Sequence, residues 1–466
     1  MNETTTIDSE ILRRYDRPGP RYTSYPTAPQ FHAAFGEMQL RQFIARGNAE
    51  PIPRPISIYV HVPFCFSPCF YCGCNRVITR DATKGERYLE HLLLEIERIA
   101  PLFARDRDVM QVHLGGGTPN FLAPPQLGRL LDSLGRHFHF STARDRDFSI
   151  ELDPRCIEDG DIDALAELGF NRASLGVQDF NPDVQDAVNR VQSVEQTMAV
   201  IDACRGAGFR SVNVDLIYGL PRQTQDGFRQ TLDTVIAARP DRLAIYGYAH
   251  LPELFKAQRQ IKVAELPDAE GRLGLLRLAV ERLTAAGYQY IGMDHFALPE
   301  DDLAGAQAAG GLHRNFMGYT THADCDLVGL GVSAISHVGD SFSQNPRDLA
   351  GWEIALESDR LPVWRGLELD FDDVLRADII QQLMCQGDIG VAAIERRYGI
   401  DFRHYFAAAW PALEQLAGEG LLTLAQERIA ATSRGRYLLR IIAMCFDRYL
   451  QKPQTADSTA RYSRAI

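Results

Sequence analysis

Four cysteines stand within ten residues, Cys65, Cys69, Cys72 and Cys74, in the run HVPFCFSPCFYCGCNRV. Thiolates grouped on one loop are metal ligands more often than core packing. The Cys-x-x-x-Cys-x-x-Cys spacing supplies three of them, which suits an iron–sulfur cluster with one iron left open for chemistry. A structural zinc ion is the competing occupant. Zinc sites usually pair two Cys-x-x-Cys halves across a longer separation, and no second half is evident here. Disulfides are not expected, because MNETTTIDSEILRRYDR is polar and lacks the apolar stretch of a secretory signal. Cys156, Cys204, Cys325, Cys385 and Cys445 stand singly and read as small buried hydrophobes.

A second run, Gly115-Gly116-Gly117-Thr118-Pro119, follows a strand-like segment one β–α unit after the cysteines. Glycines there let backbone groups approach a ligand closely, whereas a glycine run by itself is only a turn signal. His61, four residues before Cys65, reads either as a hydrogen-bonding neighbour of the metal site or as a satisfied core histidine.

The elements that position these groups alternate. In ISIYVHV, Ile56, Ile58, Val60 and Val62 share one face and Ser57, Tyr59 and His61 the other. MQVHLGGG is the next candidate strand. DFSIELD follows, with Ser149, Glu151 and Asp153 on its polar face. FNRASLGVQ carries Arg172, Ser174, Gly176 and Gln178, and SVNVDLIYGLP sets Ser211, Asn213 and Asp215 against Val212, Val214 and Leu216. DRLAIYGYAH and YQYIGMDHF are further strands. Between them, residues 86–100 and 126–138 place leucines and isoleucines at helical spacing. Repeated β–α units imply a parallel sheet with helices outside. A doubly wound sheet would be apolar on both faces. Polar residues along one face of several strands fit a barrel or partial barrel better, with its site at the strand C-terminal ends.

Three regions are expected: an irregular N-terminal arm over residues 1–50 containing RPGPRYTSYPTAPQF, a partial (β/α) barrel over 51–345, and a mainly helical, winged-helix-like region over 346–466. In the last, helices at 371–386 and 410–418 precede a hairpin in GLLTLAQERIAATSRG and a final helix in RYLLRIIAMCFDRYL; the tail after Lys452 is polar. No basic recognition helix accompanies the winged pattern, and a net charge of −12 argues against a nucleic-acid partner. No apolar run approaches a membrane span. The expectation is a cytoplasmic, monomeric enzyme.

The cysteine run, the strand before it and GGGTP together resemble the radical S-adenosylmethionine superfamily. The resemblance extends over nearly the whole chain to the branch that decarboxylates a porphyrinogen. It is carried by RYTSYPTA (21–28), CGCN (72–75), GVQDFN (176–181), VNR (188–190), DLIYGLP (215–221), YAHLP (248–252), GMDHFA (292–297), HRNF-GYTT (313–321), GVSAIS (331–336) and MCFDRYL. Cys74 separates the chain from a related haem-chaperone branch, which is the alternative reading. Gly247 departs from the pattern, standing where a bulkier polar residue is expected.

The resemblance implies that Cys65, Cys69 and Cys72 hold a 4Fe–4S cluster whose fourth iron binds S-adenosylmethionine, with Cys74 unassigned. It implies two S-adenosylmethionine molecules. The first would use Tyr59, Gly116, Glu151 and Ile335, with Glu151 placed for a ribose hydroxyl. The second would use Tyr71, Gly117, Thr118, Gln178, Arg190, Asp215 and Ala249, although Tyr71 could touch both. Tyr59 and His61 are the candidate catalytic residues. The implied substrate is coproporphyrinogen III, two of whose propionates become vinyl groups. An electron donor protein and an unknown electron acceptor are further partners. Four propionates call for guanidinium groups, for which Arg21 and Arg314 are the candidate substrate-binding residues, or else solvated surface side chains.

Overall fold

The computed structural model describes residues 9–450 and residue 462, and the rest of the polar tail after Lys452 lies outside the described residues. Two units emerge from the contacts. The larger comprises Phe31–Leu266 and Asp324–Glu368; the smaller comprises the chain up to Gln30, Pro267–Ala323, and the chain from Leu369 onward.

In the larger unit six parallel strands follow one another in chain order: β1 (Ile56–Val62), β2 (Asp108–Gly116), β3 (Asp147–Leu152), β4 (Arg172–Gln178), β5 (Ser211–Tyr218) and β6 (Arg242–Gly247). Each pairs with the next, and β7 (Asp326–Leu330) adds in parallel to the other side of β1. The strand order is linear rather than closed, so the expected barrel is partial. Helices α1 (Ala82–Ile99), α2 (Pro124–His137), α3 (Asp161–Glu167), α4 (Val194–Gly206) and α5 (Gln225–Ala238) fill the crossovers. Asp81, Ser193 and Thr224 cap α1, α4 and α5 by accepting a backbone N–H, which fixes where each helix begins. Leu89, Leu92 and Ile96 of α1 and Leu127, Leu130 and Leu134 of α2 are buried, each contributing about 1.5–3 kcal/mol relative to exposure.

That burial occupies one face of the sheet. The other face bears Tyr59, His61, His113, Ser149, Glu151, Ser174, Asn213 and Asp215, the alternation expected from the sequence.

Several expectations need correction. The arm is not irregular to residue 50, because Glu37–Asn48 is a helix burying Leu40, Phe43 and Ile44 in the larger unit. The strand pattern does not stop at residue 345: Arg365–Glu368 pairs with Ser341–Gln344, and Gly366 also bridges to His32. A side chain at Gly366 would meet the Phe342 carbonyl at 2.3 Å, a long-range constraint invisible in the local pattern. In the smaller unit, YQYIGMDHF folds back as a hairpin, Gln289–Gly292 against His295–Ala297, turning where Gly292 and Met293 take positive φ.

The rest of the smaller unit follows the expected pattern. Helices Phe371–Gln386, Val391–Tyr398 and Trp410–Gly418 accompany a three-stranded sheet of Asp388–Gly390, Arg428–Ala431 and Leu422–Leu424. The final helix is shorter than the sequence suggests, spanning Leu439–Met444. The Asp447 carboxylate beyond it accepts the Tyr449 N–H (2.9 Å) and the Tyr22 hydroxyl (3.0 Å), which competes with helix continuation. Among the described residues no helix is long and apolar enough to cross a membrane.

Candidate active site

β1 runs directly into the cysteine loop. Phe64–Cys65 pairs in parallel with Val77–Ile78, and this two-strand clip closes the loop between them. The glycine run is clamped to its base: Gly117 N–H donates to the Val62 carbonyl (2.8 Å) and Thr118 N–H to that of Phe64 (2.8 Å). A side chain at Gly117 would lie 2.7 Å from the Phe64 carbonyl oxygen. One at Gly116, whose φ is +113°, would enter the His61 ring at 2.5 Å. The run is therefore a close approach as well as a turn.

Cys65, Cys69, Tyr71, Cys72, Cys74, Gly116, Gly117, Thr118, Glu151, Gln178, Arg190 and Asp215 line a single cavity of about 260 Å³. Twelve expected site residues, from strands and loops far apart in sequence, thus meet. Ala249 stands beside this group, since Gln258 Nε2 donates both to its carbonyl (3.1 Å) and to that of Tyr71 (2.9 Å). Ile335 lies on the strand after β7, its backbone packed against Gly329.

Tyr59 and His61 stand behind the cavity wall. Carbonyl oxygens only accept, so His61 Nε2–H donates to Asn75 O (2.9 Å) and Nδ1 accepts from the Tyr59 hydroxyl (2.9 Å). Burial lowers the His61 pKa and favours the neutral ring. The pair ties β1 to the end of the cysteine loop, and both ring nitrogens are engaged. A buried ring with both nitrogens satisfied, beside the end of the cysteine loop, fits either of the two readings offered for His61.

The polar strand ends form one network. His113 Nδ1 meets Ser149 Oγ at 2.7 Å, and Glu151 accepts the Gly116 N–H at 3.1 Å with His113 Nε2 at 3.4 Å. Asp215 accepts from Ser174 Oγ (3.1 Å) and Asn213 Nδ2 (2.9 Å). The two carboxyls are driven apart. Burial pushes Glu151 up, but the His113 and Gly116 contacts outweigh it and hold the group below its usual range. Burial, reinforced by Glu151, pushes Asp215 up to about 7.

The thiols differ as well. Burial raises Cys65 to about 11. A hydrogen bond from Cys74 leads the effects that lower Cys72, opposed by burial and aided by Arg76, while Cys74 is raised in turn. Among the described residues the one group whose ligand atoms lie within 4.8 Å of each other is His91, Glu353 and Glu357, and Arg87 already pairs with both of those carboxylates. Although Cys72 and Cys74 are in contact, no three of the four described thiols close on one point as a single zinc ion requires, and three thiols around one cavity suit a multi-iron cluster.

Arg21 and Arg314 belong to the smaller unit. Arg21 forms an ion pair with Asp294. Arg314 is only 6% exposed and lies 4.8 Å over the Tyr319 ring, yet its Nε and Nη1 have no hydrogen-bond partner. Sequence reasoning missed Asp153, Arg155, Arg76 and Tyr246, which also line the cavity. A DPR triplet ending β3 was the available signal for the first two. Gly247, the departure from pattern, makes room for Tyr218, whose hydroxyl would lie 2.8 Å from any Cβ there.

The family model of the radical SAM superfamily matches residues 59–235, and that of the HemN C-terminal domain matches residues 369–438. The oxygen-independent coproporphyrinogen III oxidase of Pseudomonas aeruginosa is 49% identical over 466 residues, covering 100% of both chains. That of Escherichia coli is 47% identical over 454 residues, or 97% of this chain and 98% of the relative. The solved structure of coproporphyrinogen III oxidase (HemN) from Escherichia coli, described as a radical SAM enzyme, superimposes with a TM-score of 0.90. It has 46% sequence identity and covers 95% of this chain and 99% of that one.

Proposed function

This chain belongs to the oxygen-independent coproporphyrinogen III oxidases of the radical SAM superfamily, and we propose that it converts two propionates of coproporphyrinogen III to the vinyl groups of protoporphyrinogen IX in haem biosynthesis. Convergence of three thiols, a glycine cradle and two oppositely tuned carboxyls on one cavity carries the reading.

Cys65, Cys69 and Cys72 hold the 4Fe–4S cluster. When bound, the cluster and S-adenosylmethionine supply a 5′-deoxyadenosyl radical able to remove a hydrogen atom from carbon. The chain's own groups do the rest. Glu151, kept ionised, accepts ribose hydroxyls of the first S-adenosylmethionine beside Gly116, Tyr59 and Ile335. Tyr71, Gly117, Thr118, Gln178, Arg190, Asp215 and Ala249 surround the second. Gly116 and Gly117 admit them because no side chain fits there. Tyr59 and His61 brace the cysteine loop. Arg314 and Arg21 receive substrate carboxylates by two-pronged hydrogen bonding. Each propionate loses a β-hydrogen atom, carbon dioxide and one electron, the electron passing to an acceptor outside the chain. A donor protein would supply the electron that the cluster site requires, and the working form is a cytoplasmic monomer.

The test is anaerobic turnover of cluster-loaded protein with S-adenosylmethionine, a reductant and coproporphyrinogen III. Protoporphyrinogen IX together with 5′-deoxyadenosine is expected. Tight haem binding with neither product would contradict the reading and favour a chaperone.

A further inference from the structure

β3 ends in Leu152, and the next residue, Asp153, is only 7% exposed. It caps the turn Pro154–Cys156 by accepting the Arg155 N–H at 3.1 Å. The same carboxylate takes Arg155 twice more, from Nε (3.0 Å) and Nη2 (2.7 Å), in the fork geometry that stops a guanidinium from rotating. It also takes Arg190 Nη1 at 3.2 Å. Both cations then reach one sulfur: Arg190 Nη1 lies 3.5 Å from Cys69 Sγ and Arg155 Nη2 3.9 Å from it. Two guanidiniums thus share a single buried carboxylate, leaving one positive charge in excess at the cavity wall. The group facing that excess is the Cys69 sulfur.

We propose that Arg155 is a potential-setting residue, held by Asp153 against the Cys69 thiolate so that its charge favours the reduced cluster. The proposal rests on the reading that Cys69 is a cluster ligand. Reduction adds one negative charge to a cluster, and a fixed cation or an N–H aimed at a ligand sulfur stabilises that charge and raises the potential. Arg190 has other work, because its Nη2 holds the Gly176 carbonyl and it stands among the residues assigned to the second S-adenosylmethionine. Arg155 has no such tie. Every hydrogen bond it donates goes to Asp153 or Cys69.

The experiment is an EPR-monitored redox titration of the reconstituted full chain, wild type beside Arg155→Gln, Arg155→Lys and Arg129→Gln. Iron and sulfide content are measured first. Wild-type protein that holds no cluster would fail the parent reading rather than this one. Arg155→Gln is expected to shift the midpoint negative by about 59 mV, a roughly tenfold lower reduced-to-oxidised ratio at fixed ambient potential. Arg155→Lys, which keeps the charge and loses the fork, should recover part of the shift. Arg129→Gln, on exposed α2, should change nothing. An unshifted midpoint in Arg155→Gln with full cluster content would overturn the proposal. So would loss of the cluster in both Arg155 variants, which would make the residue structural.

Discussion

Arg190 of the larger unit and Arg314 of the smaller one are equally buried, each 6% exposed. Their surroundings differ. Arg190 lies against Asp153, the Gly176 carbonyl and the Cys69 sulfur, so it has a carboxylate and two further acceptors within the fold, and among the described residues only its Nε lacks one. Arg314 has an aromatic face beside it and, among the described residues, two N–H directions with no acceptor and no carboxylate paired to it. A buried cation without a counter-ion costs folding free energy, and selection tolerates that cost where a ligand completes the pair. Arg190 belongs to a site where a carboxylate already meets it before anything binds, although Arg155 shares that carboxylate. Under the proposed function, Arg314 belongs to a site that a substrate carboxylate completes.

The largest effect that bears on this contrast is at the thiols beside Arg190. Replacing Cys65, Cys69 or Cys72 singly with Ala should abolish both protoporphyrinogen IX and 5′-deoxyadenosine, with iron content falling in step. Iron analysis and product quantification check this together. Full iron content in any of the three variants would remove that residue from the ligand set.

Next in size is a difference of sign between the two arginines. Arg190→Met strips Asp153 of one cation and should cost about 3 kcal/mol of stability, at the low end for a broken buried pair because Arg155 remains. Arg314→Met removes an uncompensated charge and should stabilise by about 1 kcal/mol while the substrate KM rises at least about tenfold. Denaturant midpoints of the two variants decide the matter. If both fall, Arg314 has a counter-ion in the fold and the contrast collapses.

Smaller is the pH dependence set by Asp215, raised to about 7 in the folded state by burial and then by Glu151. Between its unfolded value near 4 and 7, the folded state binds more protons than the unfolded one. Stability of the cofactor-free chain therefore falls as pH rises through that window, by at most about 1.4 kcal/mol per pH unit. Asp215→Asn should flatten this slope. Glu95, also raised to about 7 by burial, leaves a residual slope of the same sign. An unchanged slope in the variant would assign the titration elsewhere.

How much of this was legible in the sequence depended on range. The thiol spacing and the period-two polar rows of β3, β4 and β5 are local patterns, and Glu151, Ser174, Gln178 and Asp215 bring those rows to the cavity, whereas the β1 row of Tyr59 and His61 stands behind its wall. The partial barrel follows from the same rows. Arg314 was readable as a candidate by residue type, but its burial and its missing acceptors arise from Tyr319 and the surrounding chain, which no local pattern encodes. Asp153 stood on the polar row read from DFSIELD without being singled out as a site residue, and Arg155 escaped because it lies in a turn, where periodicity lapses. The helix Glu37–Asn48 was hidden behind a Pro- and Gly-rich neighbour, and the hairpin after Gln289 by a reversal that depends on two positive φ angles.

Under the proposed function, radical generation falls to the cysteine site and substrate capture to Arg314. The most direct test measures 5′-deoxyadenosine released without substrate, and protoporphyrinogen IX formed with it, in Arg314→Met and Glu151→Gln side by side. The expected result is that Arg314→Met keeps wild-type uncoupled release and loses product, whereas Glu151→Gln loses both. Equal loss of uncoupled release in the two variants would contradict the division.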